Sequence, residues 1–287
     1  MSPGRGSHTE RSAEERRPYM SMHHLNLSAL MAALLSTVAS RGVEIIAHRG
    51  ASFDAPENTV ASLRLGYDQG ADAGELDVHL TKDGRLVVIH DANTSRTAGH
   101  KHAVAEQTLD ELRALEVGQW GKWKGSAFAE KIPPLADILA IVPKGKRLFI
   151  EAKAGPESVV ELERVIRASG LDAAQLPLIT FDLETARILK LRLPAHEVCW
   201  IVEHPAIKTP GIDELVASAK AASLDGLDLS YKFPIDAAFV GKVHGAGLTL
   251  YTWTVDNPAV ARKLRDAGVD GITTNRPGWL REQLAAL

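Results

Sequence analysis

The sequence predicts a closed α/β barrel, and three observations lead there. From Val43 onward, short apolar runs alternate with helical stretches, the pattern of parallel strands joined by right-handed crossovers. Eight such strand–helix units fit along the chain, which is the number that closes a TIM (β/α)8 barrel. Histidines and carboxylates recur at or near the C-terminal ends of the runs, where barrels of this type keep their chemistry. A doubly wound open sheet is the competing architecture, but no Gly-x-Gly-x-x-Gly turn follows the first run.

In chain order, strands are expected over residues 44–47, 74–80, 147–152, 177–181, 198–202, 224–229, 249–254 and 271–274. An extra β-hairpin arm, 86–89, follows the second strand, because Asp83-Gly84 between two apolar runs is a strong hairpin signal. With those two as the turn residues, Lys82 faces Arg85, Leu80 faces Val87 and Asp77 lands opposite His90. Helices are expected over 58–69, 108–115, 135–141, 156–168, 183–191, 212–222, 235–244, 257–267 and 277–286. Asp182 and Asp256-Asn257-Pro258 supply start signals for two of them. The connection from Asp91 to Lys146 is long for a barrel loop. Its glycine- and aromatic-rich middle, 118–125, could roof a pocket at the barrel mouth.

Residues 43–287 form the expected barrel domain, and residues 1–42 are different in kind. The first 19 are polar and arginine-rich, without apolar periodicity, and are expected to be disordered. The apolar stretch 25–39 falls short of the roughly 20 residues that cross a bilayer. Its length and small-residue end suit a signal peptide cleaved near Ala39. Export to the periplasm or outside the cell is therefore expected, with a cytoplasmic protein and a helix under the barrel floor as the alternative. A net charge of −3 with dispersed basic residues gives no basic face for nucleic acid. The single cysteine, Cys199, excludes an intrachain disulfide, and its apolar surroundings mark an inert core thiol.

The chemistry-bearing residues concentrate in a few segments. Glu75 and Asp77 stand two apart on the second strand and so share one face. Buried there, they repel each other unless a cation lies between them. Glu151 and Lys153, at the end of the third barrel strand, are spaced the same way. They also fit an ordinary ion pair within a barrel layer. Three convergent carboxylates, Glu75, Asp77 and Glu151, are hard oxygen ligands suited to Ca²⁺ or Mg²⁺. Arg49 and Lys153 are donors suited to phosphate. His48 and His90 could act as base and acid near neutral pH. Trp253 is either core or a platform for substrate. His79 shares a face with Asp77 and is more simply a structural residue. Together these are the parts needed to cleave a phosphate ester with the help of a metal.

At the same residues the chain resembles the glycerophosphodiester phosphodiesterases, a family of phosphatidylinositol-phosphodiesterase-like TIM barrels. The matching segments are His48-Arg49-Gly50, Pro56-Glu57-Asn58-Thr59, Gly70-Ala71-Asp72, Glu75-Leu76-Asp77-Val78, Thr81-Lys82-Asp83-Gly84 and His90-Asp91. Ile150-Glu151-Ala152-Lys153 and Trp253-Thr254-Val255-Asp256 follow in order. The resemblance implies hydrolysis of glycerophosphodiesters to sn-glycerol 3-phosphate and an alcohol with a divalent cation. It makes His48 and His90 the acid–base pair, Glu75, Asp77 and Glu151 the metal ligands, and Arg49 and Lys153 the phosphate grip. The expected partner is a small phosphodiester, with no nucleic acid and no stable membrane insertion. Two departures stand out. Asn275 occupies a position where the family usually has Asp, which predicts tuned activity, and Gly74 replaces a bulkier residue, which predicts looser packing beneath Glu75. A lysolipid-cleaving enzyme, with Trp120, Trp123 and Phe128 lining an acyl groove, and a non-catalytic phosphoester-binding barrel are the alternatives.

Overall fold

Nine strands carry the architecture: β1 (Glu44–Ala47), β2 (Ala73–Leu80), β3 (Leu86–Val88), β4 (Arg147–Ala152), β5 (Leu178–Thr180), β6 (Val198–Val202), β7 (Gly226–Ser230), β8 (Thr249–Trp253) and β9 (Gly271–Thr274). The computed structural model describes Met1 and residues 42–205 and 210–286. The expectations of a disordered leader and a signal peptide fall on residues 2–41, outside the described residues. Parallel pairing runs from β1 through β2, β4, β5, β6, β7, β8 and β9 and back to β1, closing an eight-stranded barrel. β2 also carries the arm: Ala73 and Gly74 pair with β1, while residues 78–80 pair with antiparallel β3.

Around the strands lie α1 (Val60–Asp68), α2 (Ser95–Ala98), α3 (Leu109–Ala114), α4 (Leu135–Leu139), α5 (Val159–Ser169), α6 (Leu183–Arg192), α7 (Ile212–Ala221), α8 (Ala237–Gly245), α9 (Pro258–Ala267) and α10 (Pro277–Ala285). The expected start signals operate as caps. The Asp182 carboxylate accepts from Thr185 N at the head of α6, and Asn257 accepts from Ala259 N and Val260 N ahead of Pro258. Each leaves fewer amide groups unpaired at a helix start. Among the described residues, no helix is long and apolar enough to cross a membrane.

The strands' period of two sorts side chains into two cores. Leu76, Val78, Leu148, Ile150, Leu227 and Leu229 pack in the main cluster with the helices. Ile46, Phe149, Ile179, Cys199, Ile201 and Tyr251 form a second cluster. Cys199 is fully buried, as its apolar run predicts, and burial pushes its thiol up. Below this layer, Arg147 pairs with Glu44 at 2.6 Å and with Glu197, its guanidinium 4.8 Å from the Phe149 ring centre. Burial, with the charge of Arg147 opposing it, raises Glu44 to about 7.

Two local expectations are corrected. The hairpin pairs Val78 with Val88, His79 with Val87 and Leu80 with Leu86, one residue away from the two-residue-turn register. The loop instead has three residues, 82–84. Thr81 Oγ1 bonds Asp83 and accepts from Arg85 N, and Gly84 turns back at φ 71°. Left-handed glycine closing a three-residue loop is the next commonest hairpin solution. Asp77 thus lies against Ile89, whose N–H bonds the Asp77 carbonyl at 3.1 Å, and His90 follows the end of the arm. Nor is the packing loose at Gly74. A Cβ there would stand 2.7 Å from Leu63 Cδ1 and 3.0 Å from Tyr67 Oη, so α1 already fills the space a larger residue would take.

Candidate active site

The site begins with a backbone contortion at the end of β1. Arg49 and Asn58 both adopt left-handed backbone, at φ 54° and 58°, which costs a non-glycine residue about 1 kcal/mol or more. Asn58 N–H bonds the Arg49 carbonyl at 3.0 Å, and Ser62 Oγ donates to the same oxygen at 2.8 Å. Gly50 beside them has φ 81°, and a Cβ there would fall 2.4 Å from the Ser62 backbone; only glycine fits. The strain is held by these contacts and serves the carboxylates. Arg49 N–H donates to Glu75 Oε2 at 2.8 Å, and Asn58 Nδ2 donates to Asp77 Oδ2 at 2.8 Å.

Glu75, Asp77 and Glu151 are all buried, and each offers an oxygen within 4.8 Å of the others. Strand pairing explains the convergence, since Asp77 lies opposite Glu151 in register. Their titration reflects crowding. Burial, then repulsion from Asp77 and Glu151, raises Glu75 well above the carboxylate range. Burial and Asp77 raise Glu151 to about 7, against the pull of Lys153. Burial also works against ionisation of Asp77, but the charges of Arg49, Lys153 and His90 outweigh it and hold it at about 2. Lys153 Nζ stands 2.9 Å from Glu151 and 3.6 Å from Asp77. Oxygen donors this close, in a site too negative to ionise fully alone, fit a hard divalent cation.

The two histidines have different partners. His48 Nδ1 lies 2.7 Å from Asn275 Oδ1. The amide orientation is fixed by its neighbours: Ser52 Oγ donates to Oδ1, and Nδ2 donates to Asp256 Oδ2. An amide oxygen only accepts, so His48 carries its proton on Nδ1 and leaves Nε2 bare. Burial, and then the charge of Arg49, lowers His48 to about 4. His90 Nδ1 instead meets the Asp91 carboxylate at 2.7 Å. Arg96 binds Asp91 at 2.7 Å and Glu57 at 2.7 Å, and Glu57 binds Arg49 at 2.9 Å. A chain of alternating charges thus runs from Asp91, beside His90, through Arg96, Glu57 and Arg49 back to the carboxylates. His79 Nε2 bonds the His90 carbonyl at 3.0 Å, so it supports that histidine's backbone.

Of the residues expected from sequence, His48, Arg49, Glu75, His90, Glu151, Lys153 and Trp253 line one pocket of about 230 Å³, and Asp77 sits directly behind. Trp253 packs edge-on to Phe181, with ring centres 5.5 Å apart, and donates Nε1 to the Asp228 carbonyl. None of residues 118–125 is among those lining this pocket. Trp120 stacks on Arg96, and Lys122 stands over the rings of Phe53 and Trp123. Trp120, Trp123 and Phe128, the residues named for an acyl groove, are likewise not among those lining this pocket. Sequence reasoning assigned no role to Asn58, Glu57, Arg96, Glu203 or Asp228. Only Asp91, adjacent to His90, and the Glu57-Asn58 pair within a quoted segment carried any signal.

Fold and site together define a barrel enzyme with its machinery at the C-terminal mouth of the strands. The comparisons with known proteins agree. Residues 48–279 match the Glycerophosphoryl diester phosphodiesterase family. The glycerophosphodiester phosphodiesterase of Caldanaerobacter subterraneus subsp. tengcongensis is 32% identical over 248 residues, covering 82% of this chain and 95% of that protein. Among solved structures, an Oleispira antarctica phosphodiesterase in complex with the product sn-glycerol-3-phosphate is 26% identical, with a TM-score of 0.74, covering 85% of this chain and 97% of that one. A glycerophosphodiester phosphodiesterase from Parabacteroides distasonis is 28% identical, with a TM-score of 0.70, covering 85% and 98%. The chain belongs to the glycerophosphoryl diester phosphodiesterase family.

Proposed function

We propose that this protein hydrolyses glycerophosphodiesters to sn-glycerol 3-phosphate and an alcohol, with a divalent cation held by Glu75, Asp77 and Glu151. The observation that carries the reading is the convergence of this buried carboxylate trio with two differently partnered histidines on one pocket. The bound product of the Oleispira antarctica relative supports the substrate class. When bound, Ca²⁺ or Mg²⁺ supplies Lewis-acid polarisation of the phosphoryl oxygens. Arg49 and Lys153 orient the phosphate and offset its charge. Phe181 and Trp253 present flat apolar surface to the carbon skeleton.

The histidine partners support one division of the proton transfers. His48, neutral above about pH 4, takes the proton of the attacking water at its bare Nε2; where the glycerol hydroxyl attacks instead, the cyclic phosphate it forms is opened to glycerol 3-phosphate by a water in a second turn, with the two rings' roles reversed. His90, held at Nδ1 by the Asp91 carboxylate, delivers a proton to the oxygen of the departing alcohol. One P–O bond forms as the other breaks, and the proton count is restored between the two rings. The test is product analysis with glycerophosphocholine and purified protein plus Mg²⁺ or Ca²⁺. The reading predicts glycerol 3-phosphate and choline, with His90→Ala at least about 10²-fold slower. Phosphocholine as the product, or no turnover under either metal, would overturn it.

A further inference from the structure

On the wall formed by β7, Asp228 faces the pocket from the middle of its strand. It is 3% exposed, and among the described residues its Oδ1 has no hydrogen-bond partner. A buried acceptor left unpaired is costly, and native structures keep few of them. Among the described residues no cation pairs with it: Arg49 and Lys153 are engaged by Asp77, Glu57 and Glu151. Ile201, which stands opposite it in register on β6, offers it only carbon. Trp253 itself donates to the Asp228 backbone rather than the side chain. Burial, with the charge of Glu151 adding, pushes the carboxyl well above its ordinary range. An unpaired carboxyl oxygen is an acceptor, which suits a hydroxyl donor better than a phosphate anion.

We infer that Asp228 is a specificity-determining residue whose side chain hydrogen-bonds a hydroxyl of the substrate's glycerol moiety, distinguishing polyol phosphodiesters from those without hydroxyls. The inference rests on the proposed activity and names the group that reads its substrate. A site built around a substrate hydroxyl discriminates strongly against analogues that lack it, because the buried polar group is then left unpaired.

The test compares kcat/KM for glycerophosphocholine and for bis(p-nitrophenyl) phosphate, which has no hydroxyl, in the full-length protein saturated with Mg²⁺. Asp228→Leu should lose roughly 10- to 100-fold on glycerophosphocholine and less than about threefold on the hydroxyl-free diester. Equal losses on both substrates, or none on the first, would overturn the inference. Asp228→Asn keeps the shape and one acceptor. It should move the same ratio by less, which keeps the test open should the leucine variant not fold; an unmoved ratio there counts against the inference. Weaker Mg²⁺ affinity in Asp228→Asn with an unchanged substrate ratio would make Asp228 a metal-site residue and likewise overturn it. Wild-type protein that leaves glycerophosphocholine intact refutes the activity itself, and that result is read before any variant.

Discussion

Replacing Asn275 by Asp turns the neutral partner of His48 into an anion at the same atom position. The amide oxygen lies 2.7 Å from His48 Nδ1. Unit charges centred about 4 Å apart interact by about 4 kcal/mol at an effective dielectric of 20, an upper bound near a factor of 10³ in protonation. Part of this is lost because Asn275 Nδ2 now donates to Asp256, and a carboxylate there faces Asp256 as a like charge. Glu57 and Asp77 already favour the imidazolium, and Arg49 opposes it. The acidic limb of kcat/KM, set in the wild type by a His48 lowered to about 4, should therefore rise by about 1–3 pH units. The sign follows from the base role: only the neutral ring accepts a proton, so a higher affinity for protons removes activity at the acid end. The assay is a kcat/KM profile from pH 4 to 9 at saturating Mg²⁺, which keeps the carboxylates ionised in both proteins. A limb that stays in place would mean that His48 is not the base, and a limb that moves down would contradict the electrostatics.

Two further outcomes follow from contacts away from the reacting atoms. Asn58→Ala removes the side-chain donor to Asp77 Oδ2 and should weaken Mg²⁺ binding about 10- to 100-fold, the usual scale for groups that orient a ligand. Isothermal titration that gives the wild-type affinity would remove that role. Arg147→Met leaves Glu44 and Glu197 facing each other at the barrel floor and should cost about 3 kcal/mol in urea unfolding at pH 8. The loss should be smaller at pH 5. Glu44 is raised to about 7, so it is mostly protonated there and needs its cation less. Equal losses at both pH values would show that Glu44 does not titrate in this range.

The barrel was legible in the chain because each strand's apolar period and each helix start is a local signal. The Asp182 and Asn257 caps, the Phe149 and Ile150 alternation and the return arm all follow from a few adjacent residues. The hairpin register was not legible. It depends on the Thr81 hydroxyl outcompeting a two-residue turn by bonding both Asp83 and Arg85, and propensity does not weigh such bonds. The carboxylates and histidines were found because strand ends in a barrel converge whatever their sequence separation. Their supports were not. Arg96 reaches Glu57 from 39 residues away, and Asn275, singled out by the resemblance but not placed, reaches His48 from 227; no periodicity encodes those meetings. Asp228 lies in an ordinary alternating strand, and only the closed barrel shows that it faces the pocket with Oδ1 unpaired among the described residues.

The decisive experiment strips the purified protein with EDTA, removes the chelator, and follows glycerol 3-phosphate release from glycerophosphocholine as Mg²⁺ or Ca²⁺ is added back, alongside Glu75→Gln. A trio of buried carboxylates that holds the working cation predicts loss of product on stripping and full recovery in the wild type. In the variant, recovery should need at least about 10-fold more metal. Undiminished turnover in the stripped protein, or identical metal curves for the two proteins, would contradict the assignment of Glu75, Asp77 and Glu151.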